Sequence, residues 1–299
     1  MTAPTSIAVV IRTRTDSAEV FDLLGALTRQ TIRPAEIAVI DSGSSPEVLA
    51  RLRDFASAGI PLRLIQIAPA EYQSARTLNR AISETRSSHV AIISQDALPL
   101  GVHYLERLAA AFDDENVAGS YGRQLPDART DPLGEKDLLR TYPPESRTQR
   151  APDCWFVNTC SMVRRDLWER HAFEERAVIS EDHEWAKWAQ GEGFVIQYCA
   201  EATVSHYHHH GQSTARLWRR HSLEGQGLCV IHGRPPGIFT TLRAWAREVA
   251  SDALWLVRRG QPHWLPVSVW RRAVKHAALH HGHHAAAREW RSEGKRRLA

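Results

Sequence analysis

Residues 7–14 read Ile7-Ala8-Val9-Val10-Ile11-Arg12-Thr13-Arg14: five apolar residues in a row, four of them β-branched, closed by a polar triplet. An unbroken run of that length fits a strand buried on both faces, as in a parallel sheet covered by helices. Working outward, the pattern recurs at Glu36-Ile37-Ala38-Val39-Ile40-Asp41, at Leu62-Arg63-Leu64-Ile65-Gln66-Ile67 and at His89-Val90-Ala91-Ile92-Ile93-Ser94. Helical patterns near 17–30, 46–58 and 74–86 separate these runs, and Ser45-Pro46-Glu47 supplies an N-cap with Pro at N1. Alternating strands and helices specify an α/β domain with a parallel sheet. Ligands of such sheets bind beyond the carboxyl ends of the strands. The positions of interest are therefore Arg12-Thr13-Arg14, Asp41-Ser42-Gly43-Ser44 and Gln95-Asp96.

Further along, 124–153 is rich in Pro, Asp, Arg and Thr, lacks periodicity, and reads as a long surface loop. Regular patterns return as a strand-like run from Trp155 to Val163, a helix near 180–190, and strands near 194–199 and 202–206. Residues 213–299 read as helical, with Leu242, Trp245, Val249, Ala253 and Leu256 on one face and Arg243, Arg247, Asp252 and Arg258 mainly on the others. His276, His280 and His283 share a helical face without nearby carboxylates and read as solvated.

Composition narrows the classes. The 299 residues suffice for one large α/β domain and an appendage. No apolar run reaches the ~18 residues of a membrane span, and the first residues do not resemble a signal peptide. Cys154, Cys160, Cys199 and Cys229 form no CxxC pair, so reduced thiols and a cytoplasmic setting are expected. Net charge is +4, but residues 211–299 carry 16 Lys/Arg against 5 Asp/Glu, together with six of the ten tryptophans. That mixture predicts either an anionic lipid surface as partner, reached through Trp245, Trp255, Trp264 and Trp270, or a merely solvated basic face. A homodimer contact is the competing role for the tail. The acidic first 210 residues argue against nucleic acid.

The first strand is followed by neither GxGxxG nor GxxxxGK[ST], which argues against a Rossmann dehydrogenase and a P-loop NTPase. Asp41-Ser42-Gly43-Ser44 can hydrogen-bond a base or ribose, or close an ordinary Asx-turn. Asp96, leaving a buried strand at the ligand edge, can hold Mg²⁺ or Mn²⁺ against a diphosphate. His206 is the candidate second ligand, with His208 as its neighbouring rival. Glu181-Asp182 opens a helix and reads as an acidic cap or as a general base.

Taken in order, the motifs resemble family 2 of the glycosyltransferases over about residues 5–230, within it the bacterial rhamnosyltransferase-like branch. The resemblance rests on Val39-Ile40-Asp41-Ser42-Gly43-Ser44, Asn79, Ile93-Ser94-Gln95-Asp96-Ala97-Leu98-Pro99 and Tyr121-Gly122-Arg123-Gln124-Leu125-Pro126. It continues with Tyr142-Pro143, Asn158 ahead of Val163-Arg164-Arg165, Ser180-Glu181-Asp182-His183-Glu184-Trp185 and Ala202-Thr203-Val204-Ser205-His206-Tyr207-His208. It implies a GT-A fold with a catalytic domain over 1–212, a donor half to about 123 and an acceptor half from 124, followed by the helical region 213–299.

The resemblance also implies roles. Thr13 and Asp41 would contact the nucleoside, with Arg14, Ser42, Asn79 and Gln95 completing the donor side. Asp96 would bind metal and diphosphate, and Ser94 stands where the family motif often has its first Asp. Arg123 and Gln124 would lie near the donor sugar or diphosphate, and Asn158, Glu181 and Trp155 near the acceptor. Asp182 would be the base, and His206 or His208 would complete a Mn²⁺ or Mg²⁺ site. The implied reaction is inverting transfer from a nucleotide-diphosphate sugar, dTDP-rhamnose by resemblance, to a glycan or lipid-linked acceptor in surface polysaccharide synthesis. A nucleotide- or glycan-binding module of the same fold without turnover is the alternative: Ser94 favours it, while Asp182 and His206 oppose it.

Overall fold

The computed structural model describes residues 6–14, 18–57, 61–206 and 213–297. They form two compact units. The α/β unit takes its residues from Met1–Asp127, Thr141–Glu175 and Asp182–Tyr207; the helical unit takes them from Ala128–Arg140, Arg176–Glu181 and His208–Ala299.

In the α/β unit the four apolar runs become strands β1 (Ile7–Thr13), β2 (Glu36–Asp41), β3 (Leu62–Gln66) and β4 (His89–Ser94). They pair in parallel in the order β3-β2-β1-β4. Helices α1 (Glu19–Thr28), α2 (Pro46–Ser57) and α3 (Ser74–Ser83) supply the crossovers. Val9, Val10, Ile11, Val39 and Ile40 are wholly buried, which explains why β1 and β2 read as continuous rather than alternating apolar runs.

Beyond β4 the sheet continues through β5 (Ala97–Pro99), β6 (Val117–Leu125), β7 (Arg147–Gln149), β8 (Cys160–Arg164) and β9 (Val195–His206). Its order is β3-β2-β1-β4-β8-β6-β9-β5, with β7 also on β9. Strands β6 and β9 run parallel; the β4–β8, β6–β8, β5–β9 and β7–β9 pairs are antiparallel. Helices α4 (Tyr104–Ala109), α6 (Arg165–Arg170) and α7 (Glu181–Gly191) complete this part of the chain.

Two sequence expectations change here. The segment 124–153 is not one loop: it contains the end of β6, helix α5 (Pro132–Thr141) and β7. The two strands expected at 194–199 and 202–206 are one, because β9 keeps pairing with β6 across a register shift between Gly122 and Arg123. Strand β6 itself, Val-Ala-Gly-Ser-Tyr-Gly-Arg-Gln-Leu, was masked by two glycines and three polar residues, yet it is largely buried. Its glycines serve packing: a Cβ at Gly122 would collide with the Ala202 carbonyl oxygen.

The helical unit contains α8 (Thr214–His232), α9 (Ile238–Arg258) and α10 (Leu265–Arg297), with most of α5. Side chains at Gly225 and Gly282 would collide with backbone of α10 and α8 respectively, so glycine permits the close crossing of those two helices. Asp252, expected off the apolar face of α9, is wholly buried. It accepts hydrogen bonds from Lys136 Nζ (2.5 Å), Ser268 Oγ (2.6 Å) and Arg272 Nε (2.8 Å). Pairing of this kind makes a buried carboxylate tolerable.

The α10 histidines are not simply solvated. His276 Nε2 lies 2.7 Å from Glu248, His280 Nδ1 lies 3.0 Å from the Thr241 hydroxyl, and His283 is 5 % exposed. Their neighbours come from α9 and α8, beyond the reach of spacing along one helix. Among the described residues no helix is long and apolar enough to cross a membrane.

Candidate functional site

Parallel pairing puts the carboxyl ends of β1, β2 and β4 at one edge, with Thr13 in register with Asp41 and Arg12 with Ser94. A cleft opens there, lined by Arg12, Thr13, Arg14, Tyr72, Ser94, Gln95 and Asp96. Its two guanidinium groups and its hydroxyls are donors suited to phosphate oxygens. Arg12 Nη1 donates to Ser74 Oγ at 2.5 Å, and Arg14 lies over the Tyr72 ring, 5.3 Å from its centroid. The Gln95 side-chain oxygen accepts from the Arg14 backbone N–H at 3.2 Å, tying the loops after β1 and β4 together.

The turn after β2 is organised by Asp41. Its carboxylate accepts from Thr13 Oγ1 (2.8 Å), Ser44 Oγ (2.5 Å) and the backbone N–H groups of Gly43 and Ser44 (3.1 Å each). Burial opposes its ionisation, but these hydrogen bonds prevail and hold the carboxyl below its ordinary range. A nucleoside reaching Asp41 would have to replace the Ser44 or Thr13 hydroxyl. Ser42 is buried, and its hydroxyl donates to the Thr13 carbonyl at 3.2 Å.

Asp96 follows β4 and leads directly into β5, where Ala97 pairs with His206 at the end of β9. That register brings Asp96 Oδ1 to 3.5 Å from His206 Nε2. The parallel β6–β9 pairing brings in Gln124, whose Oε1 lies 2.8 Å from His206 Nδ1 and whose Nε2 donates to Tyr142 Oη at 2.7 Å. In this arrangement Nδ1 carries the proton toward Gln124, and Nε2 faces the carboxylate. An oxygen–imidazole pair of this kind can serve Mn²⁺ as ligands. The donor set therefore fits a divalent cation shared with a diphosphate. Among the described residues no group of three His, Cys, Asp or Glu converges for a metal. His208 lies outside the described residues.

At the start of α7, Asp182 accepts from the Asn158 N–H at 3.1 Å and from the His183 N–H at 2.9 Å. Burial nevertheless pushes its carboxyl up to about 6, against these bonds and the charge of Arg12. A carboxyl so placed can receive a proton near neutral pH. Trp155, 36 % exposed, has its ring 4.7 Å from that of His183, one residue from Asp182. Asn158 is 2 % exposed.

Other expected residues do not line the cleft. Arg123 Nε donates to the Tyr142 carbonyl at 3.1 Å. Asn79 is spent on the segment after β8: it donates to the Phe173 carbonyl (2.9 Å) and accepts from Trp168 Nε1 and the Phe173 N–H (3.1 Å each). Glu181, 3 % exposed, belongs to the helical unit. Sequence reasoning marked Arg12 as a position of interest at the end of β1 but gave it no role, and it left out Tyr72, for which no local signal exists.

Comparison with known proteins gives a consistent result. The family described as "Glycosyltransferase like family 2" matches residues 4–224. The O-antigen chain rhamnosyltransferase WbaN of Salmonella anatum is 31% identical over 195 residues, covering 62% of this chain and 60% of that protein. The O-antigen chain rhamnosyltransferase RfbN of Salmonella typhimurium is 28% identical over 199 residues, covering 63% and 62%. This chain thus aligns with about three fifths of the length of these curated relatives. Among solved structures, the mannosyltransferase PcManGT from Pyrobaculum calidifontis, in complex with GDP-Man and Mn²⁺, superposes with a TM-score of 0.65 at 17% identity, covering 93% of this chain and 86% of that one. At that identity the likeness speaks for the shared GT-A fold alone.

Proposed function

Because the chain belongs to the family 2 glycosyltransferases, we propose that it transfers a sugar from a nucleoside diphosphate to a hydroxyl of a glycan, free or lipid-linked, inverting the anomeric carbon. Deoxythymidine-diphosphate rhamnose is the donor we favour, from the two O-antigen rhamnosyltransferase relatives. The observation that carries the reading is the Asp96–His206 pair, oriented through Gln124, with Asp96 in a cleft that also presents Arg12 and Arg14.

In this reading Thr13, Ser42 and the Asp41 turn receive the nucleoside, with Tyr72 as an aromatic wall. Arg12 and Arg14 attract the diphosphate. Asp96 Oδ1 and His206 Nε2 would hold Mn²⁺ or Mg²⁺, with His208 as a further candidate ligand. The cation, when bound, would offset charge on the diphosphate. The acceptor hydroxyl attacks the anomeric carbon from the face opposite the leaving group. A carbon–oxygen bond forms to the acceptor, the bond to the phosphate oxygen breaks, and its electron pair leaves with the diphosphate. Asp182 takes the hydroxyl proton, and Asn158 and His183 orient its carboxylate. Trp155 offers the acceptor sugar an apolar face.

The test supplies the protein and Mn²⁺ with a panel of nucleotide sugars and a rhamnose- or mannose-bearing acceptor. Release of one nucleoside diphosphate, together with a product whose anomeric configuration is inverted by NMR, is the expected outcome. A retained configuration would remove Asp182 from its role. Donor binding without transfer to any acceptor would favour a binding module.

A further inference from the structure

Helix α9 carries an apolar stripe that the helical unit does not cover. Phe239 (83 % exposed), Leu242 (50 %), Leu254 (62 %) and Val257 (61 %) stand out, and Ala246 and Ala250, also exposed, fill the interval. The steps of three and four residues place all six on one side of the helix, a strip about 27 Å long at 1.5 Å per residue. Arg243, Arg247 and Arg258, all exposed, follow one edge of the strip.

The helix's two acidic residues lie on the opposite side and are already paired. Asp252 holds Lys136 and Arg272, while Glu248 meets Lys275 (2.7 Å) and His276 (2.7 Å), which keep its carboxyl well below the ordinary range against the effect of burial. The exposed side of α9 is therefore apolar and positive, within a region of the sequence carrying 16 Lys/Arg against 5 Asp/Glu.

We propose that the exposed face of α9 is a docking surface for an anionic lipid bilayer, with the apolar strip entering the acyl boundary and the arginines at phosphate level. A helix lying in the interface has this distribution: a continuous apolar face, basic residues beside it and no acid facing the lipid. Arginine is suited to the position because its methylene stem can lie along apolar surface while the guanidinium reaches phosphate. A second copy of the chain is the poorer occupant, since it would offer the same arginines and no carboxylate of α9 to meet them. Two of the expected tryptophans do not reach this surface with their polar edge, since the indole nitrogens of Trp245 and Trp255 are buried, while Trp270 on α10 is exposed. The proposal stands apart from the catalytic reading and survives or fails without it.

The full chain is sedimented with phosphatidylcholine vesicles and with vesicles also containing phosphatidylglycerol, at low and high salt. Binding to the anionic vesicles only, weakened by salt, is expected. The double variants Phe239→Ser/Leu254→Ser and Arg243→Gln/Arg247→Gln should each lower the partition coefficient about tenfold or more. These side chains are exposed, so circular dichroism and Tm should match the wild type. Absence of binding to anionic vesicles, or binding indifferent to both variants, overturns the proposal. A concentration-dependent dimer that Phe239→Ser/Leu254→Ser dissolves overturns it in favour of self-association.

Discussion

Asp182→Asn tests the proposed proton acceptor directly. The side chain keeps its shape, but the Asn158 and His183 N–H groups bind different oxygens, so the single amide oxygen can accept from only one of them, and the amide can no longer take a proton. Loss of one positioned proton acceptor should cost about 10²–10⁴-fold in kcat while leaving donor affinity near that of the wild type. The pH dependence gives a second magnitude. With the carboxyl pushed up to about 6, roughly 9% of it is ionised at pH 5, so kcat/KM, which reports the free enzyme, should be about tenfold below its alkaline plateau. An ordinary aspartate, at 3.8, would be about 94% ionised at pH 5, and the rate would barely fall.

Stability moves the other way. Because the folded-state value lies above the unfolded one, the ionised carboxylate penalises the fold above about pH 6, and the penalty fades as pH falls toward 3.8. The Tm difference between Asp182→Asn and the wild type should therefore shift in the variant's favour as pH rises from 4 to 8. The assay is steady-state release of nucleoside diphosphate from pH 5 to 9, beside thermal melts over a wider range. A variant that retains wild-type kcat, or a wild-type profile flat down to pH 5, would refute the assignment.

Three further outcomes are expected. Gln124→Leu removes the group that holds His206 Nδ1 and also bonds the buried Tyr142 hydroxyl, so stability should fall by about 1–3 kcal/mol and Mn²⁺ affinity of the folded variant about 10–100-fold, measured by calorimetry; unchanged affinity would remove His206 from the metal site. Gly122→Ala drives a methyl group into the Ala202 carbonyl and should destabilise the fold by at least about 1–3 kcal/mol in denaturant titrations; a wild-type midpoint would mean that β6 and β9 separate readily. Asp252→Ala strands Lys136 and Arg272 in the helical unit and should cost about 3–5 kcal/mol, read as a loss of Tm or of cooperative melting; a neutral outcome would show that water reaches both cations.

The sequence was most legible where one local signal sufficed. Three of the four leading strands were readable as apolar, mostly β-branched runs bounded by polar residues, while β3 (Leu-Arg-Leu-Ile-Gln) mixes polar residues into its run; β4 ends at Ser94 as its pattern indicates. Asp96 and Asp182 could be singled out from their places after a strand and at a helix start. Arrangements set by long-range pairing were less legible. His206 could be named as a candidate second ligand beside Asp96, but the register that brings them together, β5 antiparallel with the end of β9, could not. The role of Gln124 as a holder of His206 depends likewise on β6 running beside β9. Asn79, marked by its motif, turned out to clamp Phe173 and Trp168, and His276 found its carboxylate on another helix. In each case the decisive partner lies too far along the chain for spacing or periodicity to reveal.

Calorimetric titration of the wild type and of Asp96→Ala with dTDP, UDP, GDP and CDP, each with and without Mn²⁺, bears most directly on the donor site. One nucleoside diphosphate should bind the wild type more tightly with Mn²⁺ than without, and Asp96→Ala should lose that metal-dependent gain while still melting as a folded protein. Binding of every diphosphate indifferent to Mn²⁺, or a metal-dependent gain that survives Asp96→Ala, would contradict a donor site built on the Asp96–His206 pair.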